Sequence, residues 1–331
     1  MEINKKIFQA EQKKLKKFLL KFLQKNGYNT TYNHKGFLYA PGDTPILLCA
    51  HMDTVHKEVP TVFHENDGYI SSPQGIGGDD RCGIQIITEI ISEGLKPHIL
   101  FTEDEELGCV GAELFSLCLK EETNASLKSD ISPVNFIIEL DRRGSNDAVY
   151  YSCGTPELEK MISRYGFVTQ HGSYSDIVEI APALGVAAVN LSAGYYSEHT
   201  LDEYVSLEDM ENTKNRVIQI LKNESDIPYE YIEKSYGMFH EFDKYCYISQ
   251  ELVESLGPSD ILIDGQGNIC DFVPEFVYVD FNGDVYVSDN TFTQYPVLFP
   301  LEGFKAYTED GMARKANFDS KDLMLFYVEK Y

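Results

Sequence analysis

The chain has 331 residues, of which 43% are hydrophobic and 24% charged, and 28 basic against 53 acidic side chains give a formal net charge of −25. A field of that sign repels phosphate, so nucleic acid and anionic membranes are not expected as partners. The apolar fraction suffices for a full core and excludes a disordered composition.

The first predicted element is an amphipathic helix near the N-terminus. Apolar residues recur at helical spacing from Phe8 to Leu23, and Gly27 is expected to end the helix. Lysines interrupt the apolar residues and no A-x-A-like cleavage site follows, so we do not expect a signal peptide. The lysine-rich face is interpreted as the solvated face of a docked helix rather than a membrane-binding surface.

Four short apolar runs predict buried strands, at 45–50, 97–101, 134–140 and 186–191. Helical patterns lie between most of them, at 81–93, 111–119 and 175–184. Near-continuous apolar strands that alternate with helices are typical of a mostly parallel sheet covered on both faces. The sequence therefore predicts an α/β fold, a mixed and mostly parallel sheet flanked by helices, over residues 1–225.

The composition changes at about residue 226. Residues 226–331 hold 21 of the 41 phenylalanines and tyrosines and carry 20 acidic against 7 basic side chains. Apolar and polar residues alternate across Gly-Gln-Gly-Asn and Asn-Gly turns, which predicts hairpins in 261–272 and 276–290. We predict a separate, β-rich C-terminal appendage, whose role the sequence leaves open.

The seven cysteines are scattered and include no C-x-x-C pair of the kind that zinc ribbons and redox sites carry. An odd number without a framework favours a reduced, cytoplasmic compartment over a disulfide-bonded one. No apolar stretch is long enough to span a membrane.

Acidic residues and histidines follow the ends of the predicted strands. They are His51, Asp53, the acidic run 103–106, Asp141 and His199. In an open α/β sheet the carboxyl ends of the strands form the crevice where ligands bind, so we expect these side chains to lie in one site.

Asp79 and Asp80 stand at the start of the helix predicted over 81–93. Free backbone N–H groups and the helix dipole favour a carboxylate there, so an ordinary N-cap is one interpretation. The surrounding glycines, at positions 75, 77, 78 and 83, favour the other interpretation, in which the backbone packs tightly around a functional point.

Two imidazoles and several carboxylates form a nitrogen and oxygen donor set suited to zinc, cobalt or manganese. Four consecutive acids at a strand end repel one another unless a cation sits among them, which also favours a metal. Two ions that share a bridging carboxylate would hold a hydroxide at neutral pH, and a further carboxylate must then move the proton.

Five stretches resemble, in order, the signature regions of the co-catalytic zinc exopeptidases, which include leucyl aminopeptidases, peptidase T and related deacylases. They are ILLCAHMDTV, GIGGDDRCGIQI, LFTEDEELGCVGA, FIIELDRRG and VNLSAGYYSEHTLDEYVSLE, within about residues 40–222. Only 58 positions separate Asp141 from His199, too few for the dimerisation lid of peptidase T. The core therefore resembles the lid-less aminopeptidases, with echoes of the peptidase T branch.

The resemblance implies a role for each site residue. Two Zn²⁺ ions, or Co²⁺ or Mn²⁺ in their place, would be held by His51, Asp79, Glu106, Asp141 and His199. Asp79 would bridge the ions through a cis Asp79–Asp80 peptide bond, with Asp141 beside His51 and Glu106 beside His199. Asp53 would orient the His51 imidazole, and Glu105 would be the general base.

The implied activity is hydrolysis of a peptide bond in small peptides by a metal-bound hydroxide. Removal of N-terminal residues is favoured, since an aspartate at position 141 is typical of the aminopeptidases. Two alternatives stay open, an N-deacylase of acylated amino acids and a non-catalytic binding protein on the same fold. A small peptide is the expected partner, and an oligomer is left open. Arg142 and Arg143 depart from the family pattern, and either bind a substrate carboxylate or offset the acidic site.

Overall fold

The computed structural model describes residues 1–172 and 174–232, together with the strands of the C-terminal part. The chain divides into two compact units, Met1–Glu233 and Lys234–Tyr331. In the described part of the chain, no helix is both long and apolar enough to cross a membrane.

The first unit contains helices and strands in alternation. Its α-helices are α1 (Lys5–Phe8), α2 (Gln12–Lys25), α3 (Gly78–Ser92), α4 (Val110–Lys120), α5 (Ala125–Ile131), α6 (Pro156–Ser163), α7 (Ile177–Leu184) and α8 (Leu207–Asn223). Its strands are β1 (Tyr32–His34), β2 (Phe37–Ala40), β3 (Thr44–His51), β4 (His64–Asn66), β5 (Tyr69–Ser71), β6 (Pro97–Thr102), β7 (Phe136–Arg142), β8 (Asp147–Val149), β9 (Val168–Gln170), β10 (Ala188–Ser192), β11 (Tyr195–Tyr196) and β12 (Tyr204–Ser206). Short 3-10 helices lie at Glu105–Leu107 and Glu122–Asn124.

The main sheet has eight strands in the order β1-β2-β6-β3-β7-β10-β8-β9. The strands β6, β3, β7 and β10 are parallel to one another, while β2 and β8 run antiparallel to their neighbours β6 and β10. The four parallel strands are the four predicted from apolar runs. They occupy the centre because their side chains are apolar on both faces, and the predicted mixed, mostly parallel sheet is confirmed.

Helices cover both faces of this sheet. Alternate residues of β3 enter different cores, with Ile46 and Leu48 in one and Leu47 and Cys49 in the other. Helices α2, α3 and α8 contribute to the first core, and α4 and α7 to the second. The predicted N-terminal helix is confirmed as α2, although the apolar stripe that begins at Phe8 is shared with the separate helix α1.

A second, four-stranded antiparallel sheet has the order β11-β12-β5-β4. Its strands are two or three residues long, and we did not predict them because so short a segment shows no periodicity. This sheet packs against the start of α3, where a Cβ on Gly78 would lie 2.7 Å from Tyr195 Cβ and from Val205 Cγ1. Only glycine fits at that contact.

The second unit contains β13 (Cys246–Tyr247), β14 (Phe276–Val279), β15 (Asp284–Ser288), β16 (Phe299–Tyr307) and β17 (Tyr327–Glu329). They form one sheet in chain order, with antiparallel pairing throughout. The hairpin predicted in 276–290 is confirmed as β14 and β15, and the one predicted in 261–272 lies outside the described residues.

Residues 226–232 belong to the first unit and pack against its core. The Tyr229 ring meets the Phe136 ring edge-on at a centroid distance of 5.4 Å, and Val186 forms a β-bridge with Glu230. The boundary between the compact units therefore lies a few residues beyond the composition change at 226.

Candidate metal centre

The ends of the central strands bring the predicted site residues to one edge of the sheet. His51 is the last residue of β3, Asp141 lies near the end of β7, and Glu105 and Glu106 form the 3-10 turn after β6. His199 lies between β11 and β12, in a left-handed conformation with φ 63°.

Asp79 lies between the two histidines. Its Oδ1 is 2.9 Å from His51 Nε2, and its Oδ2 is 3.2 Å from His199 Nε2. The predicted cis peptide bond between Asp79 and Asp80 is confirmed. Each oxygen of a single buried carboxylate therefore faces a different imidazole.

A further carboxylate stands beside each imidazole. Asp141 Oδ1 is 3.4 Å from His51 Nε2, and Glu106 Oε2 is 3.1 Å from His199 Nε2. The side chains thus form two groups that share Asp79, in the pairing that the sequence resemblance implies.

Asp53 lies behind His51. Its Oδ1 is 3.2 Å from His51 Nδ1, and its two oxygens accept hydrogen bonds of 3.0 Å from the backbone N–H groups of Glu105 and Glu106. One aspartate therefore orients the imidazole and holds the turn that carries both glutamates.

Burial and mutual interaction shift the pKa values of the clustered side chains. Burial raises the pKa of Glu105 to about 8, and burial together with the charge of Asp79 raises the pKa of Asp141 to about 7. A hydrogen bond to Asp79 raises the pKa of His199 to about 9. Burial opposes the charge on His51, but Asp141 outweighs it and raises the pKa.

The donor set fits divalent metal ions. Ligand atoms of His51, Asp79 and Glu106 all lie within 4.8 Å of one another, and Glu106 Oε1 is buried without a hydrogen-bond partner among the described residues. Carboxylate oxygens and imidazole nitrogens are ligand atoms that suit Zn²⁺ and similar divalent cations.

The first two acids of the run 103–106 have protein partners. Glu103 Oε2 is 2.9 Å from Lys16 Nζ, and Gln12 Nε2 donates to Asp104 Oδ1 at 2.9 Å. The expectation that four clustered acids require a metal was therefore too broad. Helix α2 satisfies two of them, and of the other two Glu106 contacts His199 while Glu105 accepts a hydrogen bond from Cys109 Sγ at 3.5 Å.

Asp80 makes the N-cap interaction considered for this pair. Its Oδ1 accepts from Gly83 N–H at 2.9 Å, and its Oδ2 from His51 N–H at 3.3 Å. Asp79 makes no such contact with its own helix in the described structure. The N-cap interpretation therefore applies to Asp80 and not to Asp79.

Glu203 is a site residue that we did not predict. It is fully buried, and it accepts hydrogen bonds from Gly77 N–H at 2.9 Å, Asp79 N–H at 3.0 Å and His56 Nε2 at 2.7 Å. It therefore holds the backbone of Asp79. In the sequence Glu203 is one of several acids after His199, and no local pattern links it to His56.

Three polar side chains hold Asp141. Tyr195 Oη donates to its Oδ1 and Ser175 Oγ to its Oδ2, both at 3.2 Å. The Asn190 side chain accepts from Asp141 N–H at 2.9 Å and donates to Asp141 O at 3.0 Å. These residues come from different strands and loops, so no local sequence pattern links them.

Arg142 and Arg143 face other acids. Arg142 Nε is 3.4 Å from Asp147 Oδ2, and Arg143 Nη1 is 2.7 Å from Glu198 Oε1. Neither forms an ion pair with the carboxylates beside the histidines in the described structure.

No family model matches the sequence, and no curated protein matches it. Among solved structures, a tripeptidase from Staphylococcus aureus is 15% identical with a TM-score of 0.52, over 65% of this chain and 95% of that one. The aminopeptidase PepT from Bacillus cereus is 17% identical with a TM-score of 0.49, over 65% and 93%. A glutaminyl cyclase from Porphyromonas gingivalis is 15% identical with a TM-score of 0.45, over 65% and 90%. At such identities the likeness shows the fold alone, so the reaction has to be argued from the site.

Proposed function

We propose that this chain is a metal-dependent exopeptidase that removes N-terminal residues from small peptides. The observation that carries the proposal is the placement of Asp79, whose two oxygens lie 2.9 Å and 3.2 Å from the imidazoles of His51 and His199. A carboxylate that reaches two imidazoles in this way is suited to bridge two ions. The similarity to the fold of a solved tripeptidase supports a peptide substrate.

These side chains would hold two Zn²⁺ ions. We assign His51 and Asp141 to one ion, His199 and Glu106 to the other, and Asp79 to both. When bound, such a pair lowers the pKa of a water molecule and polarises the scissile carbonyl. Glu106 Oε1, which has no partner among the described residues, is then available as a second donor atom.

We assign the transfer of the proton to Glu105. Its Oε1 accepts a weak hydrogen bond from Cys109 Sγ at 3.5 Å, which leaves Oε2 to accept a proton from the attacking water. In the metal-free protein burial raises its pKa to about 8, and a general base must lie within hydrogen-bond reach of the proton that it accepts. The same carboxyl group then protonates the departing amine.

Asp53 holds the base and two of the ligands in position. It holds the His51 imidazole with its Nδ1 protonated, so that Nε2 keeps its lone pair, and it fixes the backbone of Glu105 and Glu106. A shift of this one carboxylate would therefore misplace a ligand of each ion and the base together.

The test combines metal content with two chromogenic substrates. Elemental analysis of the dialysed protein should give two divalent ions per chain, and leucine p-nitroanilide should be hydrolysed in preference to N-acetyl-leucine p-nitroanilide. Glu105→Gln, purified in parallel, is the control for contaminating peptidases. Hydrolysis of the acetylated substrate alone would overturn the aminopeptidase proposal in favour of a deacylase. Bound metal with no hydrolysis of either would favour a binding protein.

A further inference from the structure

Arg81 is a buried cation that has no partner in the described part of the chain. Its side chain lies two residues after Asp79 and is 4% exposed. Its guanidinium makes no hydrogen bond or ion pair with any described residue, and Nη1 is fully buried. An arginine stays charged at every physiological pH, and burying an unpaired charge is unfavourable.

The nearest carboxylates are engaged elsewhere. Asp53 and Asp80 both act on the charge of Arg81. Asp53 accepts hydrogen bonds from His51 and from two backbone N–H groups, and Asp80 accepts from the backbone N–H groups of His51 and Gly83. Neither comes within ion-pair distance of the guanidinium, so its donors remain available to a ligand.

A cavity of about 270 Å³ adjoins Arg81. This volume lies just below the range of roughly 300–1,000 Å³ that is typical of small-molecule pockets, so it suits a ligand of a few heavy atoms. Besides Arg81, its walls include both apolar and polar side chains. The apolar ones are Phe8, Val59, Pro60 and Ile76, and the polar ones are Glu11, Gln12, Asp53, Thr54, His56, Lys57 and Glu58. Glu11, an acid at the wall, is exposed and pairs with Lys14 at 3.0 Å.

We propose that this cavity binds a small monocarboxylate, with the carboxylate on the Arg81 guanidinium and the hydrocarbon body against the apolar wall. A buried, unpaired cation beside apolar wall residues favours that combination. The carboxylate has two possible sources, the C-terminal end of a short peptide or a free carboxylic acid. Only the first source rests on the proposed function, because Asp53 lines the cavity and also contacts His51.

Calorimetric titration of the full, zinc-loaded chain with isovalerate, and with isovaleramide as the uncharged isostere, tests the site. Isovalerate should bind once per chain and at least tenfold more tightly than the amide. Arg81→Met should weaken isovalerate binding at least tenfold. The matched control is Arg164→Met, which removes an exposed arginine paired with Glu224 at 3.0 Å and should change nothing. Equal binding of acid and amide, or binding that survives Arg81→Met because the acid sits on the metal ions, overturns the proposal.

A second variant tests the cavity even if the Arg81→Met protein does not fold. Val59→Phe narrows the cavity and leaves the cation in place, and it should also weaken isovalerate at least tenfold. Unchanged binding by this variant means that the ligand lies elsewhere and overturns the proposal.

Peptide kinetics separate the two sources of the carboxylate. If the site holds the peptide end, Leu-Gly-Gly should have a KM at least tenfold below that of its C-terminal amide, and Arg81→Met should remove the difference. If the site holds a free acid, the two peptides should have equal KM values while isovalerate still binds. Absence of any hydrolysis would refute the proposed function and leave the calorimetric test standing.

Discussion

Replacing Glu203 by glutamine is expected to destabilise the protein and weaken its metal site. Glu203 is fully buried, and its Oε2 serves two donors, Gly77 N–H and His56 Nε2, while its Oε1 serves Asp79 N–H. Glutamine has the same shape as glutamate. Any effect of the substitution is therefore due to the loss of one carboxylate oxygen and of the negative charge.

The magnitude follows from these three hydrogen bonds. Glutamine is expected to keep its oxygen where two donors converge and to turn its NH₂ toward Asp79 N–H. A buried, unsatisfied N–H costs about 1–3 kcal/mol, and reducing two charge-assisted bonds to neutral ones costs about 1 kcal/mol each. The free energy of unfolding should therefore fall by about 3–5 kcal/mol. Zinc affinity should fall about 10- to 100-fold, as is common when a group that orients a ligand is lost.

Urea unfolding and zinc titration of the Glu203→Gln protein measure both effects. Glu11→Gln is the matched control, because Glu11 forms an exposed ion pair with Lys14 at 3.0 Å and its loss should cost less than about 1 kcal/mol. If Glu203→Gln behaves like Glu11→Gln in both measurements, Glu203 does not hold the bridging residue and the reasoning is refuted.

The other predictions concern the base, the ligands and pH. Glu105→Gln should retain both ions and lose about 10²–10⁴-fold in kcat; loss of metal in elemental analysis would mean that base and ligand are exchanged. Glu106→Gln and His199→Ala should each release an ion, and two ions retained in both would contradict the ligand assignment. In the metal-free protein the pKa of Glu105 is raised to about 8 and that of His199 to about 9, above their unfolded values. The stability that these two groups contribute is therefore present at pH 5 and is lost as pH rises to about 9. Urea unfolding in EDTA at pH 5, 7 and 9 should show that fall, zinc should reverse it at high pH, and a rise over this range would be inconsistent with the raised pKa values.

The amino-acid sequence alone determined the central architecture and the positions of the candidate ligands. The runs that became β3, β6, β7 and β10 are apolar on both faces, a property of each segment that needs no partner to be recognised. Because parallel strands present their carboxyl ends at one edge, residues such as His51 and Asp141 could be expected together before any distance was known.

Only the tertiary structure decided which groups support that site. The contacts of Glu203 with Asp79 and His56 join residues 124 and 147 positions apart, and the sheet of β4, β5, β11 and β12 consists of segments too short to show a period. The pairing of Glu103 with Lys16, and the lack of any described partner for Arg81, likewise depend on how α2 and the N-terminal segment pack. The local sequence shows which face of a segment is apolar. Hydrogen bonds and ion pairs between polar groups that are distant in sequence form only when the chain folds and brings those groups together.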